Sequence, residues 1–196
     1  DVTKPVITCP ASVTVNCQDN NSSSSTGVAT GTDNCSPVVI TQSQTSTQNA
    51  DVNSGDHYNY VITRTWRATD VTGNYSECAQ TITVQDVTNP VITCPTSVVK
   101  LTNAGLCTYK VQNTEFNATA TDNCSPVTIN YSTPSGTAFP VGQTTVTVTA
   151  VDVSGNSASL DFTITVNDTE KPRVKAPALV SVVNDPGQCG AVINNI

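Results

Sequence analysis

The sequence TDNCSPV occupies Thr32–Val38 and returns, letter for letter, at Thr121–Val127. A seven-residue identity is too long to arise by chance in a chain of 196 residues. The chain therefore contains either a repeated module or two copies of one site. The sequence around the two copies distinguishes these alternatives, because it repeats as well.

Two further marks recur in the same order along the chain. One is DVTKPVITCP at Asp1–Pro10, which returns as DVTNPVITCP at Asp86–Pro95 and, less closely, as DTEKPRVKAP at Asp168–Pro177. The other is ATDVTGN at Ala68–Asn74, matched by AVDVSGN at Ala150–Asn156. Three marks in one order indicate a tandem repeat of whole modules.

The marks divide the chain into two complete units and the start of a third. These are unit 1 (residues 1–85), unit 2 (residues 86–167) and unit 3 (residues 168–196), and unit 3 is truncated. Units of this length have the size of a small β-sandwich domain.

Composition predicts an all-β fold. Thr and Val are abundant, only 12% of the residues are charged, and helical periodicity is missing. Short alternating runs bounded by Gly, Pro, Asn and Ser predict strands at 12–16, 58–68, 128–131 and 144–150. A polar stretch at Asn20–Thr26 is expected to be a loop. We expect immunoglobulin-like β-sandwich modules in tandem, arranged as a rod.

Charge and hydropathy exclude two classes of partner. The net charge is −7, with eight Lys and Arg spread over the chain, so a nucleic-acid partner is not expected. No apolar run approaches the roughly 20 residues that a membrane-spanning helix needs. The sequence opens at Asp1 without a signal peptide, and we interpret it as an internal or processed piece of a longer protein.

Catalysis is not expected from this sequence. His57 is the only histidine, and it lies in a stretch of unit 1 that has no counterpart in unit 2. Glutamate occurs only at Glu77, Glu115 and Glu170, which are not equivalent positions of the units. A repeated acid–base pair is therefore missing.

The combined marks resemble the hyalin repeat (HYR) family. The resemblance rests on P-x-x-x-C-P, D-N-C and A-x-D-x-[ST]-G-N, and on the stretch SGTAFPVGQTTVTVTAVD of unit 2, at 135–152. Unit 1 has HYNYVITRTWRATD instead, at 57–70, which is similar to a variant common in tandem repeats of bacterial surface proteins. The resemblance implies an immunoglobulin-like fold, an extracellular location and a role in adhesion, without catalysis.

Eight cysteines without a Cys-x-x-Cys spacing predict disulfides in an oxidising compartment rather than a zinc site. Unit 1 contains four of them, and four cysteines allow three pairings, which the spacing alone leaves open. The four are Cys9, Cys17, Cys35 and Cys78.

Comparison of the units favours one pairing. Unit 2 has Cys94, Cys107 and Cys124 at the first three positions and Leu160 at the fourth. Unit 3 loses the first position but keeps the second, as Cys189. The first and fourth positions thus vary separately from the second and third. The HYR resemblance implies the same bond between the first and fourth positions.

The expected disulfides follow from this comparison. They are Cys9–Cys78, Cys17–Cys35 and Cys107–Cys124. Cys94 is expected to be unpaired and buried, behaving as a small hydrophobe, because Leu160 stands where its partner would be. Cys189 is expected to be unpaired as well.

Repeated aspartates raise the question of calcium. Asp70, Asp86, Asp152 and Asp168 recur at the ends or connections of the units, where loops can gather the several oxygen ligands that calcium requires. Alternatively, each aspartate caps its own turn or begins a short linker. The sequence favours the turns, because it lacks the acidic density of a dedicated calcium loop.

The expected function is that of a non-catalytic extracellular stalk or fibre segment of a cell-surface adhesin. The expected partners are neighbouring modules of the chain, with other copies in a fibre, or a surface glycan or protein ligand, as further possibilities. The alternative is a ligand-binding adhesin module that uses calcium or a glycan at its inter-module loops.

Overall fold

The computed structural model describes residues 1–134, 136–175, 182–184, 186–187 and 189. Strands dominate these residues, and the all-β prediction is confirmed. No helix among them is long and apolar enough to cross a membrane. The degenerate mark at Ala176–Pro177 lies outside the described residues.

Unit 1 contains six strands, one helical turn and one 3-10 turn (Gly55–His57). The strands are β1 (Val6–Thr8), β2 (Val13–Asn16), β3 (Thr30–Thr32), β4 (Val39–Ser46), β5 (Tyr60–Thr69) and β6 (Tyr75–Gln85), and the helical turn is α1 (Ser23–Thr26). Strands β2, β6, β5 and β4 form a four-stranded sheet in this order, and β1 pairs with β3.

Unit 2 repeats this arrangement with eight strands. They are β7 (Val91–Thr93), β8 (Val98–Leu101), β9 (Thr108–Lys110), β10 (Thr119–Thr121), β11 (Val127–Tyr131), β12 (Ala138–Pro140), β13 (Gly142–Asp152) and β14 (Ser157–Asn167). Strands β8, β14, β13 and β11 form the four-stranded sheet, while β7 pairs with β10 and β9 with β12.

Equivalent registers show that the two units share one topology. Both four-stranded sheets contain a parallel pair at one edge, with Val13 opposite Ile82 in unit 1 and Val98 opposite Ile164 in unit 2. A long antiparallel hairpin follows in each sheet. Alternating side chains of these strands point to opposite faces, so one face of each sheet builds a core. The result is an immunoglobulin-like β-sandwich.

The two cores differ in chemistry. The unit 2 core is apolar and includes Tyr109, Phe116, Phe139, Val146, Val148, Phe162 and Ile164. In unit 1, the positions of Val146 and Phe162 are occupied by Arg64 and Gln80, which are 2% and 0% exposed. A polar network therefore fills part of the unit 1 interior.

Arg64 is held by neutral acceptors. Its Nη1 donates to Thr26 Oγ1 at 2.7 Å, and its Nη2 donates to Asn21 O at 2.8 Å and to Gln44 Oε1 at 3.2 Å. Burial lowers the pKa of the Arg64 guanidinium. Buried polar groups require such partners, because an unpaired donor costs about 1–3 kcal/mol.

The stretch Asn20–Thr26, expected to be only a surface loop, completes this network. It contains the helical turn α1, and Thr26 is buried. Gln80 Nε2 donates to Thr26 O at 2.7 Å and to Ala11 O at 3.0 Å. The polar stretch thus covers one side of the unit 1 interior and supplies acceptors to Arg64.

Candidate functional site at the junction of the units

The hairpin turn of unit 2 is organised by its aspartate. Asp152 Oδ1 accepts a hydrogen bond from Asn156 N at 2.9 Å, and its Oδ2 accepts one from Asn156 Nδ2 at 2.9 Å. Gly155 has a φ of +94°, a conformation that L side chains rarely adopt. This geometry accounts for Asp, Gly and Asn in the repeated mark.

Unit 1 has the same turn with one additional donor residue, Thr72, which supplies two further hydrogen bonds. Asp70 accepts hydrogen bonds from the backbone and side chains of both Thr72 and Asn74, at 2.8 to 3.0 Å. Desolvation raises the pKa of Asp70, but these hydrogen bonds outweigh it and leave the pKa below its usual value. The carboxylate is therefore the form that holds the turn.

Each hairpin turn also binds the first residue of its own unit. Asn156 Nδ2 donates to Asp86 O at 3.1 Å, and Ser154 Oγ donates to Asp86 Oδ2 at 3.1 Å. In unit 1, Asn74 Nδ2 donates to Asp1 O at 3.2 Å. The first and third sequence marks recur together because they contact each other at one end of each sandwich.

The TDNCSPV stretch lies at this same end. Asp122 Oδ1 accepts hydrogen bonds from Cys124 N at 2.9 Å and Ser125 N at 3.1 Å. Asp33 Oδ2 likewise accepts a bond from Cys35 N at 2.9 Å. The other carboxylate oxygen of each aspartate is buried without a hydrogen-bond partner. The stretch is thus a turn that presents a cysteine and holds one unpartnered oxygen.

Three carboxylates converge where unit 2 begins. Oxygens of Asp86, Asp122 and Asp152 lie within 4.8 Å of one another, and Asp86 and Asp152 are only 4% and 5% exposed. Like charges at this distance disfavour one another, and a bound cation would remove that cost. Oxygen ligands of this kind suit calcium.

The structure separates the four aspartates that the sequence suggested as metal ligands. Asp86 and Asp152 lie close together. Asp70 lies at the other end of unit 1, in the hairpin turn that contacts Asp1. Asp168 is exposed at the start of unit 3, where its Oδ1 accepts a bond from Glu170 N at 2.9 Å. The third member of the cluster, Asp122, is one of the repeated aspartates, in the D-N-C stretch, but it was not among these four.

One disulfide lies inside unit 1. Cys9 and Cys78 are bonded, which ties the segment after β1 to β6. Cys78 lies opposite Trp66 in the register of β5 and β6, and Trp66 is 3% exposed. The bridge therefore borders the buried face of the sheet.

The second disulfide joins the two units. Cys17 of unit 1 is bonded to Cys124 of unit 2. This finding corrects the expected pairs Cys17–Cys35 and Cys107–Cys124, because Cys35 and Cys107 are unpaired and exposed.

The direction of the strands explains why Cys17 and Cys35 do not meet. Cys17 N donates to Gln85 O at 2.9 Å, at the end of β6 where unit 1 ends. Cys35 lies within 4.8 Å of Asp1, where unit 1 begins. The 11 residues of β6 run between these ends, a length of about 35 Å. A disulfide requires Cα atoms about 6 Å apart.

Cys94 and Cys189 are also unpaired. Cys94 packs against the apolar core of unit 2 and is partly buried. Burial, and secondly the charge of Asp161, raise the pKa of the Cys94 thiol. A raised pKa disfavours the reactive thiolate.

Further contacts at the junction involve residues that the repeat did not reveal. Asp86 N donates to Asn59 Oδ1 at 2.9 Å, and Asn16 Nδ2 donates to Thr88 Oγ1 at 3.2 Å. A Cβ added to Gly55 would lie 2.6 Å from Val153 O, so any larger residue would force one of the two backbone segments to shift. Such contacts occur once, and repetition cannot reveal them.

His57 lies in the groove beside the inter-unit bridge, together with Cys17 and Cys124. Its Nδ1 is 2.7 Å from Asn49 O, within the same loop of unit 1. The only histidine is therefore part of the junction surface.

The HYR domain family model matches residues 85–166. Hyalin of Strongylocentrotus purpuratus is 35% identical over 191 residues, which is 91% of this chain and 15% of that protein. Hyalin of Lytechinus variegatus is 41% identical over 118 residues, which is 57% of this chain and 22% of that protein. The chain thus spans less than a quarter of either relative.

Solved structures of cadherins are also similar. Drosophila N-cadherin EC1-4 aligns with 84% of this chain and 50% of its own, at 13% identity and a TM-score of 0.37. Mouse cadherin-23 EC22-24 aligns with 84% of this chain and 67% of its own, at 10% identity and a TM-score of 0.35. The family match and the two hyalin relatives show that this chain contains a hyalin-repeat module, a HYR domain, at residues 85–166.

Proposed function

We propose that this chain is a semi-rigid, non-catalytic segment of an extracellular adhesion protein. Its domains are residues 1–85 and 86–167, with a further domain beginning at residue 168. The HYR domain and the disulfides support this proposal, because disulfides persist outside the cytoplasm. Neighbouring modules are its first partners, and other copies, a surface glycan or a protein ligand bind to the exposed faces.

The Cys17–Cys124 bond is the observation that carries the proposal. The polypeptide already joins the two units once, at Asp86, and the disulfide adds a second covalent connection. The disulfide lies beside Asp86, and a second covalent connection there restricts the rotation that a single flexible linker leaves to two domains. A spacer that holds a binding element away from a surface requires this stiffness.

Removing the bridge is expected to increase the motion between the units. In a Cys17→Ser, Cys124→Ser variant, small-angle scattering should show a broader distribution of distances than in the unaltered chain. A Cys94→Ser variant is the control, because it removes an unpaired cysteine and should leave the scattering unchanged. Identical curves for the double variant and the unaltered chain would contradict the proposed role of the bridge.

Calcium binding at the junction is a second candidate function. The specific observation in its favour is the cluster of Asp86, Asp122 and Asp152, with the buried and unpartnered Oδ2 of Asp122. Calcium requires several hard oxygen ligands and tolerates irregular geometry. A cation there would stiffen the same junction that the disulfide crosses.

Calcium is expected to raise the melting temperature of the chain by several degrees relative to chelator, because a ligand that binds only the folded state stabilises it. An Asp122→Asn variant should lose this difference and melt at a higher temperature in chelator, since one like charge is removed. Asp161→Asn, at an exposed aspartate outside the cluster, should keep the full calcium effect. Equal melting of the unaltered chain in calcium and chelator would eliminate this candidate.

A further inference from the structure

Each cysteine of the inter-unit disulfide has an unpaired counterpart in the other unit. Cys35 corresponds to Cys124 in the repeated TDNCSPV stretch, and Cys107 is the second cysteine of unit 2, as Cys17 is of unit 1. Both Cys35 and Cys107 are exposed and unpaired. Each of these two thiols lies at an end of its unit.

Cys35 occupies the same place in unit 1 as Cys124 in unit 2. The aspartate of the D-N-C stretch accepts a hydrogen bond from the amide of both cysteines, at 2.9 Å in each unit. Cys35 Sγ lies within 4.8 Å of a carboxylate oxygen of Asp1, and Cys124 Sγ lies within 4.8 Å of one of Asp86. Asp1 and Asp86 are the first residues of their units, so both thiols lie where a unit begins.

Cys107 follows a segment that runs as the segment before Cys17 does. Thr102 N donates to Asn167 O at 3.1 Å, and Cys17 N donates to Gln85 O at 2.9 Å. In both units the segment after the parallel edge strand therefore continues along the end of the last strand. In this register Thr102 has the position of Cys17, and Cys107 follows five residues later, in the turn where Asn103 N donates to Thr108 O at 2.8 Å. This turn lies at the end of unit 2 that leads into unit 3.

The first residues of unit 3 also lie beside Cys107. Gly105 N donates to both carboxylate oxygens of Glu170 at 3.0 Å, and Cys107 lines a groove with Asp168 and Glu170. At the observed junction, Cys17 likewise lies beside Asp86. Cys107 therefore lies beside the start of the following unit, although it does not have the register position of Cys17.

We propose that Cys35 and Cys107 each form a further inter-unit disulfide with a cysteine of a neighbouring unit. Cys107 bonds to the D-N-C cysteine of a unit that follows, and Cys35 bonds to the cysteine at the Cys17 position of a unit that precedes. This inference rests on the stalk function proposed above and extends it to a series of units that are covalently joined at each junction. Cys189, at the same position of unit 3 as Cys107, would serve the next junction.

The chemistry of each bond is thiol–disulfide exchange. One thiolate attacks a small-molecule or protein disulfide and forms a mixed disulfide, and the second cysteine then displaces the reagent. Two cysteine thiols lose two protons and two electrons, and the reagent disulfide is reduced to two thiols. Exposure of Cys35 and Cys107 permits this attack.

An additional copy of residues 1–85, placed before Asp1 of the full chain, tests Cys35. The added Gln85 then precedes Asp1 as the native Gln85 precedes Asp86. After oxidation with oxidised glutathione, alkylation and digestion without reduction, mass spectrometry should find the added Cys17 joined to Cys35. A matched chain with the added Cys17 replaced by serine should leave Cys35 alkylated.

The other end is tested by extending the full chain after Ile196. Cys107 and Cys189 are each followed by seven residues up to Thr114 and Ile196, so a copy of residues 115–167 completes unit 3. In this chain Cys107 should bond to the added copy of Cys124.

Three outcomes separate this inference from the proposed function. Bonds at Cys35 and Cys107 in the two extended chains support it. The inference is overturned if Cys35 and Cys107 are alkylated while Cys17–Cys124 is present in both chains and Cys9–Cys78 is present in the added unit. The stalk proposal then remains intact. Absence of the Cys17–Cys124 bond overturns both.

Discussion

Replacing Cys9 and Cys78 with alanine is expected to lower the free energy of unfolding of unit 1 by about 4 kcal/mol. The bond closes a loop with a sequence separation of 69 residues, and cross-linking a loop of that length removes about this much chain entropy from the unfolded state. Urea unfolding followed by tryptophan fluorescence measures the change. Trp66 is the only tryptophan, so the signal reports on unit 1 alone.

Cys94→Ala is the matched control for this variant. Cys94 has the position in unit 2 that Cys9 has in unit 1, but it forms no disulfide. Its replacement should leave the Trp66 transition unchanged. A double variant that unfolds at the same urea concentration as the unaltered chain would show that the Cys9–Cys78 bond does not stabilise unit 1.

Replacing Arg64 with alanine is expected to destabilise unit 1 by about 2–4 kcal/mol. The change removes the donors to Thr26 Oγ1 and Asn21 O, and it leaves space in a site where the side chain is 2% exposed. Buried acceptors without donors and a cavity both cost free energy. Urea unfolding monitored at Trp66 again measures the loss.

Arg67→Ala is the control on the same strand. Arg67 forms an ion pair with Glu77 at 2.7 Å, but the side chain is 47% exposed. Exposed ion pairs contribute at most about 1 kcal/mol, so this variant should unfold close to the unaltered chain. Equal effects of the two substitutions would contradict the structural role of the buried network.

The architecture of the units was predictable because it depends on local patterns that occur twice. Alternation along 58–68 and 144–150 predicted the long hairpin strands, which the structure places at Tyr60–Thr69 and Gly142–Asp152. The bounds differ by one or two positions at each end, because strand ends depend on pairing with the neighbouring strand, which alternation does not show.

The partner of Cys17 was not predictable from the same patterns. Repetition shows that cysteines occupy equivalent positions, but it does not show at which end of a sandwich each position lies. That depends on strand direction, which places Cys17 at the end of unit 1 and Cys124 at the start of unit 2. Cys17 is therefore closer to Cys124 of the other unit than to Cys35 of its own unit.

The interior of unit 1 was hidden for a different reason. A run of serines is typical of a solvent-exposed loop, and an arginine in an alternating strand does not indicate a buried side chain. Only the packed structure shows that Thr26 and Asn21 accept hydrogen bonds from Arg64. The corresponding apolar pair in unit 2, Val146 and Phe162, belongs to an ordinary core.

Disulfide mapping tests directly whether Cys17 and Cys124 join the two units. The full chain, oxidised and alkylated, is digested without reduction and analysed by mass spectrometry. We expect one cross-linked peptide pair containing Cys17 and Cys124, with Cys35 and Cys107 alkylated. Peptide pairs joining Cys17 to Cys35 and Cys107 to Cys124 would contradict this expectation, because each unit would then be closed on itself.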